Sequence, residues 1–338
     1  MKEIISREIK LKRRPDGFPQ ENDFEMVDVP LKKPEKGEIL VKNEYLSVDP
    51  YMRGRMYDFE SYIPPFQIGE TITGGSVGKV VLSESEAFQE GEYVLNFQGW
   101  REYFVCDGKD LTKVDPMLLP VQSYLGVAGM TGMTAYIGLL NIGKPKENEN
   151  VYVSAAAGAV GSIACQIAKI KGCRVVGSAG SDKKADWLIN GIGLDGAFNY
   201  KKVKDLSVEL KNQFPGGIDI YFENVGGNHL EAVIFNMNPF GRIPVCGMIS
   251  QYNKLNKPVP GPRNLGMIIG KRLLLQGFLV SDHRDELVQF QTDMASWIKE
   301  GKIKWEETIV DGIENTPKAF MGLFQGENTG KMLVRVGD

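Results

Sequence analysis

The chain has little of what metal-dependent chemistry requires. Its 338 residues include two histidines and four cysteines, and no two cysteines form a CxxC pair. A catalytic zinc site takes three protein ligands from Cys, His or carboxylate side chains, and neither His229 nor His283 is near a cysteine in the sequence. The histidines are therefore expected to be surface or capping residues, and the cysteines to be reduced and mostly structural. Any catalysis is expected to be metal-free.

Long apolar runs and an excess of one charge are also missing. Residues 1–17 are charged throughout, and no window approaches the roughly 18 apolar residues that span a bilayer. A formal net charge of −3 gives no electrostatic reason to expect nucleic acid or an anionic membrane as a partner. The HExxH and P-loop motifs are absent, which disfavours a zinc hydrolase or a P-loop kinase. We expect a cytoplasmic protein with a small-molecule substrate.

Two different sequence patterns divide the chain, whose length suggests two domains. Residues 1 to about 121 form short, often alternating segments separated by Gly, Pro and Asp, which is typical of an all-β unit. Strand and helix patterns alternate from Leu125 onward, starting with a strand at Val151 and an amphipathic helix whose apolar positions recur from Val160. This alternation predicts a parallel, doubly wound sheet. The segments after Lys299 do not continue it and are candidates for a return to the first domain.

The turn after the strand at Val151 has the spacing of a dinucleotide site. A Rossmann turn needs small residues for a tight bend, for close approach to pyrophosphate and for helix–strand packing. Ala156, Gly158 and Gly161 occupy these three positions. The first position tolerates alanine most easily, and the phosphates would lie at the helix N-terminus. The alternative is a small-residue turn that only packs a helix on a sheet, but the strand–turn–helix–strand context favours nucleotide binding.

The end of the next strand favours NADP(H) over NAD(H). An acidic residue about 20 positions on would bind the ribose 2′-hydroxyl of NAD, but this chain has SAGS at residues 178–181, followed by Lys183 and Lys184. Their ammonium groups would attract a 2′-phosphate. Alternatively, the two lysines form a solvated helix face after a Ser181 cap. A nicotinamide cofactor brings its own hydride, so a tyrosine that orients the substrate and donates to an oxyanion would suffice without metal.

Several segments, in order along nearly the whole chain, are similar to one known group. They are LSVDPYMRGRM (46–56), LGVAGMTGMTAYIGLLNIGKPK (125–146), the turn and helix from Ser154 to Lys184, FENVGG (222–227), VCGMISQYN (245–253), LLQGFLV (274–280) and GENTGK (326–331). They resemble the zinc-independent medium-chain dehydrogenases/reductases. Within these, they resemble the group of leukotriene B4 dehydrogenases, prostaglandin reductases and NADPH-dependent alkenal double-bond reductases.

The resemblance implies a fold, an activity and an assembly. Residues 1–125 and 300–338 would form a GroES-like β-rich catalytic domain, and residues 126–299 a Rossmann NADP-binding domain, in a homodimer. Members of the group reduce the C=C bond of α,β-unsaturated ketones and aldehydes, with NADPH delivering the hydride. Two alternatives stay open, namely an NADPH-dependent quinone reductase of the same fold and an NADPH-binding sensor or structural protein without turnover.

The same resemblance implies the site residues. Tyr252 and Tyr51 would be catalytic, with Tyr62 a weaker candidate at the substrate, although each tyrosine could equally be a packing residue with a satisfied hydroxyl. Thr131 stands where a proline is common in the group. The residues implied to bind NADP(H) are Gly158, Ala159, Val160, Gly161, Ser181, Lys184, Tyr200, Asn224, Cys246, Gly247, Met248, Ile249, Ser250, Tyr252, Phe278, Leu279, Val280, Asn328, Met130 and Thr134.

Overall fold

The computed structural model describes residues 4–254 and 256–337. The chain divides into two compact units, each with its own sheets. Unit 1 comprises Met1–Leu125, Glu307–Asn328 and Met332–Asp338, and unit 2 comprises Gly126–Glu306 and Thr329–Lys331. The interpretation of these units as a catalytic domain and an NADP-binding domain, with the boundaries stated above, stays a prediction.

The strands and helices of the described residues are numbered in chain order. The strands are β1 (Ile4–Leu11), β2 (Phe24–Leu31), β3 (Ile39–Ser47), β4 (Ser76–Ser83), β5 (Tyr93–Asn96), β6 (Tyr103–Cys106), β7 (Thr112–Val114), β8 (Asn150–Val153), β9 (Arg174–Ala179), β10 (Gly196–Asn199), β11 (Ile218–Phe222), β12 (Met237–Val245), β13 (Leu274–Gly277), β14 (Glu307–Asp311) and β15 (Lys331–Arg335). The α-helices are α1 (Met52–Arg55), α2 (Met130–Ile137), α3 (Ala159–Ile170), α4 (Asp182–Asp186), α5 (Leu206–Gln213), α6 (Asn228–Asn236), α7 (Met267–Lys271), α8 (Leu287–Lys299) and α9 (Thr316–Gln325).

Unit 1 is built on antiparallel strands. Its main sheet has the order β14-β15-β3-β4-β5-β7, with β6 also paired to β3, and β1 pairs with β2 in a separate ribbon. The C-terminal strand β15 pairs antiparallel with β3. An aromatic cluster fills the core, where the rings of Phe24, Trp100 and Phe320 pack within 6.4 Å of one another. Helix α9 contributes Phe320, so the late segment and the N-terminal strands share one core.

Unit 2 contains a six-stranded parallel sheet with the order β10-β9-β8-β11-β12-β13. The chain runs outward from β8 to β10, then returns to the other side of β8 and runs outward again. The direction therefore reverses between β8 and β11, which is the arrangement of a Rossmann sheet. The predicted fold class, a β-rich unit together with a doubly wound parallel sheet, is confirmed.

Helices cover both faces of this sheet. Val151 and Val153 of β8 belong to an apolar cluster with α2, α3 and α8, whereas Tyr152 belongs to a second cluster with α5 and α6. All three side chains are fully buried. Successive residues of a strand point to opposite faces, so a strand buried on both sides must be apolar at every position. The short apolar runs of the sequence have this cause.

Candidate cofactor and substrate sites

The carboxyl edge of the unit 2 sheet carries seven of the predicted cofactor residues. The predicted residues that lie within two positions of a strand end are Ser181 after β9, Tyr200 after β10, Asn224 after β11, Cys246 and Gly247 after β12, and Phe278 and Leu279 after β13. Carboxyl ends of parallel strands meet at one edge of a sheet, and ligands of such folds bind there. The fold thus collects residues that are far apart in the sequence.

The phosphate turn, residues 154–161, joins β8 to α3. Gly158 is the N-cap of α3. A Cβ atom at Gly161 would lie 2.4 Å from the carbonyl oxygen of Ala155 and 2.9 Å from the Cα of Ala156, so no side chain fits there. The first N–H groups of a helix have no partner within it and, with the helix dipole, favour a bound phosphate. The turn therefore fits the pyrophosphate of a dinucleotide.

Ala156 takes the place of the first glycine because the neighbouring strand leaves room for it. Its methyl group is fully buried, and its N–H donates to the carbonyl oxygen of Ser178 at 2.9 Å. A Cβ atom at Gly177 of β9 would lie only 2.5 Å from the Ala156 Cβ. In this contacting pair, the glycine is Gly177 on the adjacent strand and the alanine is Ala156 in the turn.

Gly330 is a contact of the phosphate turn that sequence reasoning missed. Its N–H donates to the carbonyl oxygen of Ala157 at 2.8 Å. A Cβ atom at Gly330 would lie 1.8 Å from the carbonyl oxygen of Glu306. The glycine lies two residues beyond Asn328 in the GENTGK segment. Its closeness in the sequence to this predicted cofactor residue is the signal that could have identified Gly330. Gly330 contacts the turn from a segment more than 170 positions away in the sequence.

Two lysine side chains, Lys184 and Lys201, lie near the end of β9. The Ser181 hydroxyl accepts a hydrogen bond from the Lys184 N–H at 3.3 Å and caps α4. A Cβ atom placed on Gly180 would lie 3.5 Å from the Tyr200 hydroxyl and 3.6 Å from the Lys201 ammonium. Burial lowers the pKa of Lys184, and the nearby charge of Lys201 lowers it further. Two mutually repelling ammonium groups beside hydroxyl donors fit an anion such as the 2′-phosphate of NADP(H).

Lys201 is therefore a second residue that the sequence did not single out. Lys183 and Lys201 are both exposed, but only the charge of Lys201 contributes to the lowered pKa of Lys184. The nearby Asp182 carboxylate accepts hydrogen bonds from the Lys202 ammonium and, at 2.9 Å, from the Asn199 amide. The hydrogen bond from Lys202 is the main reason that the pKa of Asp182 is lowered. The acidic group closest to the strand end is thus neutralised by its own partner.

The expectation of a surface or capping role is wrong for His229. This side chain is only 6% exposed, and its ring packs edge-on against the Tyr200 ring with 5.0 Å between centroids. Its Nε2 atom has no hydrogen-bond partner among the described residues. Burial lowers the pKa of His229 to about 4, so the ring is neutral near pH 7. This neutral ring packs against the Tyr200 ring. His283 is partly exposed, with Nδ1 3.0 Å from the Glu286 carboxylate.

Two segments implied to line the nicotinamide side are joined by main-chain hydrogen bonds. They are the 224–227 loop, which follows β11, and the 246–252 turn, which follows β12. The N–H donors and carbonyl acceptors are Cys246 to Glu223 at 2.9 Å, Gly247 to Glu223 at 3.1 Å, Ile249 to Asn224 at 3.2 Å and Ser250 to Val225 at 3.1 Å. The Asn224 amide also donates to the Ser154 carbonyl oxygen at 2.8 Å. The structure thus brings Asn224 and residues 246–250 together beside the phosphate turn.

Tyr252 folds back over its own turn. Its hydroxyl oxygen accepts a hydrogen bond from the Met248 N–H at 3.1 Å. A Cβ atom at Gly247 would lie 2.9 Å from the same oxygen, so the tyrosine packs directly on the glycine. Both neighbours are themselves predicted cofactor residues. The phenol group is therefore held against the segment that would line the nicotinamide ribose.

Helix α2 places Met130 and Thr134 one turn apart. The Thr134 hydroxyl donates to the Met130 carbonyl oxygen at 2.7 Å, and the Met130 side chain is 42% exposed. The Thr131 hydroxyl donates to the Gly126 carbonyl oxygen at 2.9 Å and thereby anchors the loop that precedes the helix. Near the other end of α2, Phe278 packs against Gly138, where a Cβ atom would lie 2.5 Å from its ring. Gly138 makes room for this cofactor candidate.

Tyr51, Tyr62 and Asn328 belong to unit 1. Asn328 is partly exposed after α9, and Tyr62 is 62% exposed. The Tyr51 hydroxyl is buried and makes no hydrogen bond of ordinary geometry with the described residues. Burial is the main cause that raises the pKa of Tyr51; the Asp49 charge raises it further, and Arg55 lowers it. Among the described residues, the Arg55 guanidinium is the group placed to interact with this buried hydroxyl.

Arg55 is a cation that sequence reasoning missed at the Tyr51 site. Tyr51 has helical backbone angles at the start of α1, so Arg55, four residues on, lies on the same face. The guanidinium donates to the Pro64 carbonyl oxygen at 2.9 Å and to the Thr73 hydroxyl at 3.1 Å, and it stacks 3.9 Å from the centre of the Phe66 ring. The groups that act on its charge are tyrosines, not carboxylates. Such a rigid cation suits an anionic oxygen of a ligand.

The chain matches known oxidoreductases over most of its length. Residues 7–114 match a family model described as the N-terminal domain of oxidoreductase, and residues 159–298 match one described as zinc-binding dehydrogenase. The 2-alkenal reductase (NADP(+)-dependent) of Nicotiana tabacum is 46% identical over 339 residues, which cover 99% of this chain and 98% of the relative. Prostaglandin reductase 1 of Rattus norvegicus is 44% identical over 329 residues, which cover 96% and 97%.

A solved structure extends these similarities. CurA from Vibrio vulnificus, crystallised in complex with NADPH, is 42% identical, with a TM-score of 0.93 over 98% of this chain and 99% of its own. The chain belongs to the zinc-independent medium-chain dehydrogenases/reductases. As a member of this family it is an NADP-dependent oxidoreductase, and NADP(H) is its cofactor. The cluster of Lys184 and Lys201 at the end of β9 and the side-chain-free position at Gly161 both fit this cofactor.

Within residues 4–254 and 256–337, no group of three or more His, Cys, Asp or Glu side chains is arranged to hold a metal ion. None of the helices in these ranges has the length and apolarity required to cross a bilayer. The four cysteines are free thiols, as the sequence predicted.

Proposed function

We propose that the chain reduces the C=C bond of α,β-unsaturated ketones or aldehydes with NADPH. The observation that carries the proposal is the Tyr252 hydroxyl, which the Met248 N–H holds on the turn implied to line the nicotinamide ribose. The alkenal reductase and prostaglandin reductase relatives support the same chemistry. The chain offers hydroxyl donors at both candidate catalytic tyrosines.

In the proposed reaction, bound NADPH supplies a hydride to the β carbon of the substrate. The π electrons move onto the carbonyl oxygen, and the α carbon then takes up a proton. Tyr252 would donate a hydrogen bond to the substrate oxygen, since a phenol O–H can stabilise a developing oxyanion. Tyr51 would be a second contact of the substrate, with the Arg55 guanidinium favouring negative charge beside it.

The test is a steady-state assay of the purified protein with NADPH and a panel of enones, enals and quinones. We expect saturated ketones or aldehydes as products, identified by mass spectrometry. Reduction of quinones without any enone or enal product would favour the alternative quinone reductase. Tight NADPH binding without turnover of any compound would favour the sensor alternative.

Two tyrosine variants sharpen the catalytic assignment. Tyr252→Phe is expected to lower kcat by about 10- to 100-fold, the range of a lost charge-assisted hydrogen bond, while Tyr51→Phe is expected to have a smaller effect. Tyr124→Phe is the matched control, because its hydroxyl donates only to the Asp115 carbonyl oxygen at 3.0 Å. Equal kinetics of Tyr252→Phe and Tyr124→Phe would remove Tyr252 from catalysis.

We also propose a homodimer that uses the free edge of the unit 2 sheet. Strand β13 is the last strand in the order, so one row of its main-chain groups has no strand partner in the sheet. Leu274 on β13 is 46% exposed, and Ile269 on α7 is 82% exposed. Light scattering on the wild type and Ile269→Glu tests the proposal, with a dimer expected to shift toward monomer. A wild-type monomer would contradict it. The cytoplasmic location stays a prediction.

A further inference from the structure

Glu223 is a fully buried carboxyl group beside the cofactor segments. Its Oε1 atom accepts hydrogen bonds from the Tyr221 hydroxyl at 2.7 Å, the Val225 N–H at 2.6 Å, the Gly226 N–H at 2.8 Å and the Ser154 hydroxyl at 3.4 Å. Its Oε2 atom accepts none from the described residues. None of their Lys, Arg or His side chains forms an ion pair with it, and burial raises the pKa of Glu223. The hydrogen bonds therefore concentrate on one oxygen, in surroundings without a countercharge.

The same residue also organises the neighbouring turn through its main chain. The Glu223 carbonyl oxygen accepts the N–H groups of Cys246 and Gly247. The side chain thus shapes the 224–227 loop, and the carbonyl oxygen shapes the start of the 246–252 turn. No other described residue that we have placed at the cofactor site contacts both segments in this way.

The backbone of the 224–227 loop depends on this arrangement. Gly226 and Gly227 have φ angles of +74° and +55°, which only glycine adopts readily. Two successive residues with positive φ turn the chain tightly, and the N–H groups of Val225 and Gly226 both donate to one oxygen atom. Without that oxygen, two buried donors would lose their acceptor, and the loop would lose the contact that selects this conformation.

We propose that Glu223 is a positioning residue for cofactor binding, which holds the 224–227 loop and the 246–252 turn in the geometry that receives the nicotinamide ribose. It acts through Asn224 and the Tyr252 turn and does not itself touch the cofactor. The inference rests on NADP(H) binding, not on the proposed substrate. A protein that binds NADPH but reduces no enone would therefore leave it fully testable.

For this role, Glu223 must place an acceptor oxygen at the end of a side chain of this length. The role does not require a negative charge. A glutamine keeps the side-chain length and one carbonyl oxygen, which can accept from the same donors. An aspartate keeps the carboxyl group but withdraws it by one methylene, and a leucine removes the acceptor at similar volume. These three substitutions separate reach, charge and acceptor function.

The experiment measures the Kd of NADPH by fluorescence titration for the wild type and each variant. We expect Glu223→Leu to raise Kd at least about 10-fold, Glu223→Asp to raise it by an intermediate factor and Glu223→Gln to stay within about 3-fold, on the scale of one or two hydrogen bonds. Kinetics on any turned-over substrate should show the loss mainly in KM for NADPH. If Glu223→Leu is insoluble, Glu223→Asp against Glu223→Gln provides the same comparison.

Tyr152→Phe is the matched control for loss of stability. It removes an equally buried hydrogen bond, from the Tyr152 hydroxyl to the Ser178 hydroxyl at 2.7 Å, in the same sheet. We expect it to lower the unfolding midpoint while the Kd of NADPH stays within about 2-fold. An unchanged Kd in Glu223→Leu or Glu223→Asp, a Tyr152→Phe effect as large as that of Glu223→Leu, or a Glu223→Gln effect equal to that of Glu223→Leu would each overturn the proposal.

Discussion

The phosphate turn and the junction of the 224–227 loop with the 246–252 turn lie on the same edge of one sheet, but they are built in different ways. The turn depends on absent side chains within eight consecutive residues, as at Gly161. The junction depends on hydrogen bonds between residues far apart, such as Glu223 and Cys246. A steric requirement leaves a local spacing in the sequence, whereas a hydrogen-bond requirement between distant segments leaves none.

The two regions also tolerate change differently. In the turn, the contact between residues 156 and 177 leaves room for only one methyl group. Here Ala156 supplies it, and the glycine is Gly177 on the neighbouring strand. In the junction, one oxygen of Glu223 accepts hydrogen bonds from four donors. Substitutions can therefore test whether packing in the first region and hydrogen bonding in the second account for cofactor binding.

The largest effect is expected for Gly161→Ala. A Cβ atom 2.4 Å from the Ala155 carbonyl oxygen forces α3 away from the phosphate turn, so NADPH affinity should fall by about 100-fold, since misplaced N–H groups no longer reach the phosphates. Isothermal titration calorimetry measures this. Gly270→Ala on α7 is the control, because open space surrounds that glycine. If Gly161→Ala and Gly270→Ala bind NADPH equally, the turn is not limited by packing.

The next effect concerns the cations at the end of β9. Lys184→Ala and Lys201→Ala should each raise the Kd of NADPH by about 10- to 100-fold, the range for a hydrogen bond to a charged group, and leave the affinity for NADH unchanged. Lys183→Ala is the control, because Lys183 is an adjacent lysine whose charge, unlike that of Lys201, is not among the causes that lower the pKa of Lys184. Titration with both nucleotides checks the prediction. Equal losses for NADPH and NADH would contradict a 2′-phosphate role.

A smaller effect is expected for Gly177→Ala. Its methyl group would meet the Ala156 methyl at 2.5 Å, and overpacking of this kind costs about 2 kcal/mol in the free energy of unfolding. Ala156→Gly should restore part of that loss in the double variant, because it removes the other half of the contact. Urea denaturation of the single and double variants gives the interaction energy. Strictly additive changes in the free energy of unfolding would mean that the side chains at positions 156 and 177 do not compete for the same space.

The smallest effect is a pH dependence from His229. Its folded pKa of about 4 lies below the ordinary histidine value, so below pH 6.5 the unfolded chain binds a proton that the folded chain does not. Stability should therefore fall with pH from about 7 to 5.5, by about 1 kcal/mol from this residue. His229→Phe, which keeps a ring beside Tyr200, should show a correspondingly flatter profile in urea denaturation. Parallel profiles would show that His229 does not titrate in this way.

Sequence reasoning found much of unit 2 because its rules are local. The alternation of apolar strands and amphipathic helices follows from burial on both faces of a parallel sheet, as at Tyr152. The assignment of His229 to a surface or cap was wrong, because a histidine near a helix start gives no sign of the tertiary neighbours that bury it. The implied roles of Tyr51 and Asn328 stay predictions.

The sequence by itself determined the strand–helix order, the phosphate turn and the preference for a 2′-phosphate, since each depends on residues close together in the chain. Only the tertiary structure decided that Gly177 accommodates Ala156, that Lys201 joins Lys184 and that Glu223 supports two cofactor segments. These pairs meet because parallel strands align their carboxyl ends, and such alignment is a property of the sheet, not of any one segment.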